Sequence, residues 1–512
     1  MTSSLTTGRL AAAAAHTQAA LAVHAPELVS GFLDHLPIAA ETVGRRLRGA
    51  LAREGLSSDH TGGTRHAFNR VEFDSSGVAD PVDLLTADAP GFAAEIRNAV
   101  INLAIALARP GPVHPGGDPD EAAIAGERLA ISGHNLHPCG RTRLGWDTCD
   151  VLAHDLESGR TEIRFIAVRD DAHLGDDLGA LYPGIPDAGY RAQPVHAWQL
   201  GLITQRYRDL FTDGTLRHLD GALDAVPTAA LRTLLLPPAA DGTRRYLKVS
   251  LDIQVTSTRR SISVASTRNG PAVSALLHRL AADEPSLLLM AETAGAAVPA
   301  GSGRDLSAIL RDGLTGRLQP GEEAIPGSAL PHRLPDLVRR HGGGPARWLT
   351  DYARLLLPPL LRLAVHGVAL EAHLQNCLPT FKDGHPHRLA LRDFAGLRLH
   401  LPRLAAAGHQ VDLWPGSVVG TDDPAIMRAK LGYTAFQAHL GEIVLHLDLD
   451  EPAAWRLIRD VVDDTYAALT SAEARADHAW LTAPTVPHKA LVRMRLAGDG
   501  DLYLPVENPL HA

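Results

Sequence analysis

The residues best suited to chemistry lie between positions 365 and 396, where an acid, an imidazole and an amide occupy alternate positions. They are Glu371, His373 and Gln375, and a further acid, Asp393, follows in the same segment. A helix would scatter three such side chains around its circumference, whereas a β-strand would direct all three to one face. The alternation therefore predicts a strand with oxygen and nitrogen groups on one side.

A hairpin is expected to bring the second acid back to this strand. Asp383 and Gly384 form the Asp-Gly pair that favours a two-residue turn between antiparallel strands. Folded in this way, Gln375 and Asn376 would lie alongside residues 391–393. Two carboxylates and two amides on one surface suit a hydrated Mg²⁺ ion that carries phosphates, so the pattern indicates nucleotide chemistry.

The clearest strand signal is the segment 246–256, in which apolar and polar residues alternate without a break. One face would pack in the core, and the other would carry a polar row that includes Lys248. Arg259 and Arg260 follow the strand, so the row could floor a cleft that grips an anion at two points. A strand face that is simply hydrated is the alternative interpretation.

The segment 132–143 contains a glycine-bearing turn with histidines and cations, but it lacks the GxxxxGK[ST] spacing of a Walker loop. Its backbone N–H groups, together with its Arg and Thr side chains, could cradle a phosphate. Two other interpretations remain open: a turn satisfied by its own side chains, and a zinc site. The zinc ligands would be His134, His137, Cys139 and Cys149, although their spacing fits no common zinc pattern.

Two further segments give weaker signals. His196 lies beside Trp198, an arrangement more typical of packing than of catalysis. Arg232 follows the turn at Pro227 and is flanked by hydroxyl residues, which suits an anion site. An exposed loop arginine is an equally good interpretation of this second segment.

The elements that must position these residues fall into three regions. Residues 1–130 are predicted to be mainly helical, with one helix ended by the Pro-Gly pair at 110–111. Residues 131–330 mix strands with helices, and residues 331–512 are mostly helical apart from the hairpin. The sequence therefore predicts an α+β fold.

Bulk properties exclude several classes of protein. The 512 residues carry a formal charge of −9 with acids and bases interspersed, which argues against a dedicated nucleic-acid binder. Three cysteines are too few for a disulfide framework and suit a reducing compartment. Charges and prolines interrupt the longest apolar tract, and the N-terminus lacks an export core. We expect a soluble cytoplasmic protein with no membrane or nucleic-acid partner.

Seven sequence blocks, taken together, resemble the NRPS-independent siderophore synthetases, which form the IucA/IucC (aerobactin synthetase) family. In chain order the blocks are GHNLHP with RTRLGW, PVHAWQ, PTAALRT, LKVSLDIQVTSTRR, ALEAHLQN, LRDF and KALVRMRL. The resemblance spans residues 130–495, and the chain looks shorter than typical members of the family.

The resemblance implies a fold, a reaction and partners. The fold is a cupped hand with a helical thumb (1–130), fingers with a mixed central sheet that bind ATP (131–330), and a mostly helical palm that contains the hairpin (331–512). The reaction is adenylation of citrate or a related di- or tricarboxylic acid, dependent on ATP and Mg²⁺. An amine or hydroxylamine then attacks the adenylate to give an amide, AMP and pyrophosphate. The family is usually dimeric, so a homodimer is expected.

The resemblance also implies roles for individual residues. The expected ATP contacts are Gly133, His134, Thr142, Arg143, Arg232, Lys248 and Thr256. Arg260 and His373 would bind the substrate carboxylate, and with Lys248 they form the expected catalytic set. Glu371 and Asp393, with Gln375 nearby, would hold Mg²⁺.

Several positions depart from the family pattern. In the first block, prolyl, lysyl and phenylalanyl positions of the family hold other residues here, and the second and third blocks also differ. The departing residues are Asn135, Arg141, Trp146, Gln193, Ala197 and Ala230. Ala230 lacks a hydroxyl donor next to the expected phosphate contact, a loss of about 0.5–1.5 kcal/mol in a typical case. These departures suggest an atypical substrate.

Two rival functions remain. The HGVALEAHLQN and LRDF segments superficially resemble small-molecule kinases, but Val368 stands where such enzymes need an aspartate. No glycine-rich loop with a matching lysine is evident upstream. The second rival is a catalytically altered nucleotide-binding paralogue, which Ala230 and Arg141 would favour. The sequence identifies neither the acid nor the amine.

Overall fold

The computed structural model describes residues 8–109, 111, 117–256, 258–498 and 500–511. The predicted helix stop at Pro110 and the N-terminal residues 1–7 lie outside the described residues. Helices and strands alternate irregularly along the chain, which confirms the predicted α+β class. The division into thumb, fingers and palm stays a prediction.

The described chain contains helices in all three regions. They are α1 (Arg9–His24), α2 (Val29–Arg53), α3 (Pro90–Ala108), α4 (Pro119–Glu127), α5 (Thr148–His154), α6 (Ala197–Arg206), α7 (Arg208–Thr212), α8 (Val264–Leu280), α9 (Leu330–His341), α10 (Gly344–Val365), α11 (Leu401–Ala406), α12 (Pro424–Leu431), α13 (Gly441–Leu445), α14 (Glu451–Ala467), α15 (Ala472–Leu481) and α16 (Leu491–Ala497). A π-helical segment, Gly432–Leu440, joins α12 to α13.

The strands are concentrated between α5 and α9. They are β1 (Gly63–Arg65), β2 (Val71–Phe73), β3 (Thr161–Arg169), β4 (Leu174–Gly175), β5 (Tyr190–His196), β6 (Leu216–Pro227), β7 (Thr233–Leu235), β8 (Arg245–Val249), β9 (Leu251–Val255), β10 (Thr258–Arg260), β11 (Leu287–Leu289), β12 (Glu292–Ala297), β13 (Ser307–Asp312), β14 (Glu322–Ala324), β15 (Val368–Ala369), β16 (Cys377–Lys382), β17 (His385–Leu391), β18 (Arg398–His400), β19 (Gly420–Thr421), β20 (Thr485–Lys489) and β21 (Tyr503–Glu507).

Three long helices dominate the N-terminal region. α2 and α3 pack on each other around Phe32, Leu47 and Ile96, which are all buried. α3 is long and apolar enough to cross a membrane by composition, but 67% of its apolar window is buried inside the structure. Such burial is typical of the core helix of a folded domain.

An eight-stranded sheet forms the centre of the molecule, in the order β4-β12-β13-β8-β7-β6-β3-β5. Every pair of neighbours in this sheet is antiparallel. The predicted mixed central sheet is therefore wrong. Parallel pairs occur instead in two smaller sheets, between β11 and β17 and between β18 and β19.

The segment 246–256 forms two strands rather than the single strand that its alternation predicts. Ser250 separates β8, in the large sheet, from β9, which pairs with β10. The apolar row is buried as predicted, but Lys248 is only 2% exposed. This part of the polar row is therefore not a hydrated strand face.

The predicted hairpin is present as β16 and β17. Asp383 and Gly384 at its tip both have positive φ, of 50° and 81°, as a type I′ turn requires. Cys377 pairs with Leu391, so the register brings the ends of the two strands together as expected.

The segment that carries Glu371, His373 and Gln375 is a loop, and the predicted strand over these residues is wrong. The Asn376 N–H donates to the His373 carbonyl, and the Asn376 side chain donates to the Glu371 carbonyl. The guanidinium of Arg392 donates to the carbonyl of Gln375. These bonds close the backbone into a turn, so alternation of side chains no longer decides where they point.

The hairpin is the centre of a four-stranded sheet, β11-β17-β16-β14. Two of these strands precede residue 330 and two follow it. The predicted regional boundaries at 130 and 330 stay predictions, but strands from both sides of the second boundary share this sheet. α10, which precedes the hairpin in the chain, packs on α14, which follows it, around the buried residues Tyr352, Trp455 and Ile458.

Candidate active site

A cavity of about 260 Å³ lies where the loop 132–143, the β9–β10 connection and the loop after β15 meet. We call it the site cavity. Many of the residues singled out in the sequence line it, namely Gly133, His134, Arg143, Thr256, Arg260, His373 and Gln375. The fold therefore brings together segments separated by more than a hundred positions in the chain.

Two glycines shape the wall of the site cavity. Gly133 has φ 74°, and a Cβ there would lie 2.5 Å from the carbonyl oxygen of Gly140. A Cβ on Gly140 would lie 2.6 Å from the carbonyl oxygen of Ser132. The two arms of the loop can approach this closely only because both residues lack a side chain.

Two neutral histidines face each other across the site cavity, with the ring centroids of His134 and His373 5.9 Å apart. Burial lowers the pKa of both imidazoles, and for His134 the neighbouring His373 adds to the effect. Each Nδ1 accepts a backbone N–H, from Leu136 and Gln375 respectively, both at 3.2 Å. This assigns the proton of each ring to Nε2, which makes both rings donors toward an anionic ligand.

Arg260 supplies a cation that forms no ion pair with a carboxylate in the described part of the chain. Its Nε is buried, and among the described residues no group accepts a hydrogen bond from it. Burial, followed by the nearby Arg232, lowers the pKa of Arg260 to about 10. A buried guanidinium N–H without an acceptor is suited to binding an anion from outside the chain.

Arg232 supports the strand that carries Arg260 and does not line the site cavity. Its Nη1 donates to the carbonyl oxygens of Arg260 and Ser261, at 3.0 and 2.9 Å. Thr256, which does line the cavity, has φ 57°, and its hydroxyl donates to the Val255 carbonyl.

Lys248 and Asp393 form an ion pair between β8 and the end of the hairpin. Their Nζ and Oδ1 atoms are 2.7 Å apart, and Glu292 Oε1 lies 3.8 Å from the same Nζ. Burial alone would raise the pKa of Asp393, but Lys248 and Arg232 hold it well below its ordinary value. Burial raises the pKa of Glu292 although Lys248 opposes the shift. Of the two acids near Lys248, Asp393 is therefore the one that is held ionised.

Glu371 provides a second ionised carboxylate close by. Lys430 Nζ lies 2.9 Å from Glu371 Oε1 and, against the effect of burial, lowers the pKa of the carboxyl group. The negative charge of Asp393 opposes this lowering of the Glu371 pKa. A Cβ on Gly396 would lie 1.8 Å from Glu371 Oε2, so only glycine leaves room for this carboxylate.

The donor set of Glu371, Asp393 and Gln375 fits Mg²⁺. Magnesium prefers oxygen ligands and is commonly held by one or two carboxylates together with water and substrate phosphates. The zinc interpretation receives no support from the described residues, which contain no group of three or more His, Cys, Asp or Glu arranged to hold a metal. Burial also raises the pKa of Cys139, which disfavours the thiolate that zinc requires.

Three polar residues of the 132–143 loop have internal partners instead of free donors. The Thr142 hydroxyl is buried and donates to the Glu95 carbonyl at 3.1 Å, outside the site cavity. Arg143 binds Asp155 through Nε and Nη2, at 2.8 and 3.1 Å. Arg141 binds Glu157 at 2.8 Å. The guanidinium of Arg141, which replaces the lysine of the family pattern, therefore has a buried carboxylate as its partner.

Sequence reasoning missed several residues of the site cavity. They are Arg46, Glu127, His332, Glu442 and His446. Arg46 lies on α2 and donates to the carbonyl and hydroxyl of Ser132, both at 2.7 Å. Asn135, a departure from the family pattern, donates to Glu442 at 3.0 Å. No local motif marks these positions, because they converge only through tertiary packing.

The fold and the site define an α+β protein with a cationic cavity beside two ionised carboxylates. Residues 122–332 match the model of the IucA/IucC family, and residues 346–504 match a model described as ferric iron reductase FhuF-like transporter. The chain therefore carries an IucA/IucC domain followed by an FhuF-like domain.

Curated relatives extend over most of the chain. D-ornithine–citrate ligase from Staphylococcus aureus is 22% identical over 466 residues, which cover 77% of this chain and 70% of the relative. Citryl-spermidine/3,4-dihydroxybenzoyl-citryl-spermidine:spermidine ligase from Bacillus anthracis is 25% identical over 448 residues, which cover 75% and 72%. Both relatives are named ligases.

Solved structures share the fold. The petrobactin biosynthesis protein AsbB from Bacillus anthracis superposes with a TM-score of 0.80 and 21% identity, covering 97% of this chain and 98% of that chain. ATP-bound aerobactin synthetase IucA from Klebsiella pneumoniae gives a TM-score of 0.74 and 17% identity, covering 92% and 99%.

Proposed function

We propose that the protein is an ATP- and Mg²⁺-dependent synthetase that joins a carboxylic acid to an amine or hydroxylamine in siderophore-type biosynthesis. The acid would be citrate or a related di- or tricarboxylic acid, and the product an amide. Support comes from relatives named as citrate ligases and from the ATP-bound structure of a protein with the same fold.

One observation carries the proposal: the Nε of Arg260 is buried without a partner among the residues that the structure describes, and the cavity beside it also contains two Nε2–H imidazoles. Burying a cation without a counter-ion is costly, so a fold that does so favours an anionic ligand. A substrate carboxylate and the phosphates of ATP are such ligands.

The chain's own residues account for binding and orientation. Arg260 and His373 would hold the carboxylate of the acid in line with the α-phosphate, which reduces the entropic cost of reaction. His134 and the loop at Gly133 would contact phosphate oxygens. Lys248 would stabilise the negative charge that develops on the α-phosphate as pyrophosphate leaves.

Mg²⁺, when bound, would neutralise phosphate charge, with Glu371, Asp393 and Gln375 as its protein ligands. Both carboxylates are held ionised by a neighbouring lysine, so they need no deprotonation to bind a cation.

The first experiment is hydroxylamine-trapped release of pyrophosphate from ATP, measured across a panel of di- and tricarboxylic acids at saturating Mg²⁺. We expect release that depends on one acid and yields AMP. If ATP binds but no acid in the panel stimulates pyrophosphate release, the proposal is contradicted and the catalytically altered paralogue is favoured.

The kinase alternative makes a different product from the same ATP. Val368, at the position where the kinase pattern needs an aspartate, is buried in β15. We therefore expect no ADP in the assay, and ADP formation dependent on a hydroxyl substrate would transfer the assignment to a phosphotransferase. We further propose a cytoplasmic homodimer, which sedimentation of the purified protein would test.

A further inference from the structure

A second cavity, of about 370 Å³, adjoins the site cavity and has no role in the reaction as described so far. The two share Arg46, Ser132, Asn135, Glu442 and His446 as lining residues. The second cavity extends away from this shared boundary between α2, β2 and the start of α16. A molecule lying in it would therefore have one end at the site cavity.

One face of α2 forms a wall of the second cavity. The lining residues Thr42, Arg46, Gly49 and Arg53 are spaced four, three and four positions apart, which places them on one side of a helix. Gly49 lets the opposite wall approach, because a Cβ there would lie 2.4 Å from the carbonyl oxygen of Val71. Arg46 lies at the boundary with the site cavity, and Arg53 lies two turns further along the helix.

The acids of the second cavity all have partners. Glu442 accepts from Arg70 at 2.6 Å and from Asn135 at 3.0 Å. Glu72 accepts from Arg70 at 2.5 Å. Glu54 accepts the backbone N–H groups of residues 492 and 493, at 2.9 and 2.7 Å. These carboxylates are therefore poorly placed to bind an additional cation.

In contrast to these acids, Arg53 has a polar atom without a partner in the described structure. Its Nε is buried, and no described residue accepts a hydrogen bond from it. Burial, followed by the charge of Arg70, lowers the pKa of Arg53 to about 9. A guanidinium N–H that is buried without an acceptor favours an anionic ligand at this end of the cavity.

We propose that the second cavity binds the carboxylate of the amine co-substrate through Arg53, so that the nucleophile is an amino acid rather than a carboxyl-free diamine or polyamine. This inference rests on the proposed function. The amine end of the same molecule would lie at the boundary formed by Arg46, Asn135 and Glu442, where it can reach the adenylate in the site cavity. Arg53 lies at the opposite end, where it would determine which amine binds and would take no part in bond formation.

The test uses the full-length protein and matched pairs of amines that differ only by a carboxylate. The pairs are ornithine with putrescine, lysine with cadaverine, and 2,3-diaminopropanoate with ethylenediamine. We expect kcat/KM for at least one amino acid to exceed that of its partner by about 10- to 100-fold, the effect of a charge-assisted hydrogen bond. Equal or better use of the diamine in all three pairs would overturn the inference.

The variant Arg53→Gln identifies the group responsible. It should raise the KM of the preferred amino acid by about 10- to 100-fold and leave the KM of its diamine unaltered, and Arg53→Lys should restore part of the loss. Arg48→Gln is the matched control, because Arg48 lies on the same helix and binds Asp59 and backbone carbonyls outside the cavity. An unchanged amino-acid KM in Arg53→Gln, or a raised KM for ATP instead, would contradict the assignment.

A separate assay distinguishes failure of this inference from failure of the proposed function. Acid-dependent exchange of labelled pyrophosphate into ATP requires no amine and reports adenylation alone. Exchange without any preference for amino acids would overturn only the inference about the second cavity. Absence of exchange in the wild-type protein would overturn the proposed function and this inference with it.

Discussion

Arg260 and Lys248 are both catalytic candidates, but their surroundings differ in a way that separates function from stability. Lys248 is 2% exposed and neutralises Asp393, whereas the Nε of Arg260 is buried with no acceptor in the described structure. Removing one partner of a buried ion pair leaves a charge uncompensated and costs about 3–5 kcal/mol, whereas removing an unpaired buried cation relieves a penalty. The two substitutions should therefore have opposite effects on folding.

We expect Arg260→Ala to abolish acid-dependent pyrophosphate release while the melting temperature stays the same or rises. Lys248→Ala should abolish the same activity and also lower the free energy of unfolding by about 3 kcal/mol or more. Pyrophosphate release and thermal unfolding measured on the same preparations would check both outcomes. Arg259→Ala is the control, because Arg259 is 65% exposed and pairs with Asp252. Full activity in Arg260→Ala would remove this residue from the site.

The sequence motifs pointed to several residues that line the candidate cavity, and tertiary packing adds others that no motif marks. The motif residues at 133–134, 256–260 and 373–375 do converge on one cavity. The partners that fix their charge states, such as Lys430 for Glu371, lie on distant elements and carry no recognisable spacing. Arg53 could not be singled out from the sequence, because its proposed role depends on its tertiary surroundings, in which no described residue accepts a hydrogen bond from its Nε.

At the scale of elements, the hairpin was predictable because its signal is local. The Asp-Gly turn requires positive φ at two adjacent positions, and the sequence places suitable residues there. The strand over residues 371–376 was mispredicted because alternation is also compatible with a loop, and the bonds from Arg392 that close this loop come from beyond the hairpin. The break at Ser250 was invisible for the same reason: the apolar alternation continues through it.

The tip of the hairpin is expected to be sensitive to a single methyl group. Gly384 has φ 81°, and a Cβ there would lie 2.7 Å from the Leu337 carbonyl oxygen on α9. Gly408 has a similar φ of 78° but nothing within 4 Å of its Cβ position. The variant Gly408→Ala therefore measures the cost of the backbone strain without any steric overlap. We expect Gly384→Ala to lower the free energy of unfolding by about 1–3 kcal/mol more than Gly408→Ala, measured by denaturant titration. Equal losses in the two variants would contradict the close packing of the turn on α9.

At the scale of the whole molecule, ion pairs and capping contacts join the two ends of the chain. Glu54, after the last residue of α2, accepts the N–H groups of Val492 and Arg493 at the start of α16. Glu95 on α3 pairs with Arg495, and His66 contacts Glu451 at 2.9 Å. The N-terminal helices are therefore held against the C-terminal region that helps to form the second cavity.

Glu54→Ala tests this connection. The substitution leaves two backbone donors of α16 unsatisfied, so we expect the free energy of unfolding to fall by about 1–3 kcal/mol. The rate of amide hydrogen exchange should increase more in residues 491–497 than in the rest of the protein. Glu27→Ala, at an exposed position, serves as the control. Unchanged exchange in α16 would show that the contact does not hold the two ends together.

The four-stranded sheet around the hairpin also affects how the chain folds while it is being synthesised. Its parallel pair joins Leu287 to Leu389, about 100 residues apart. At a synthesis rate of about 5–20 residues per second, the apolar strand β11 leaves the ribosome about 5–20 s before its partner exists. During that interval a run of three leucines has an unpaired edge. Chaperone dependence and aggregation of nascent chains should therefore be greatest for those truncated between residues 290 and 385.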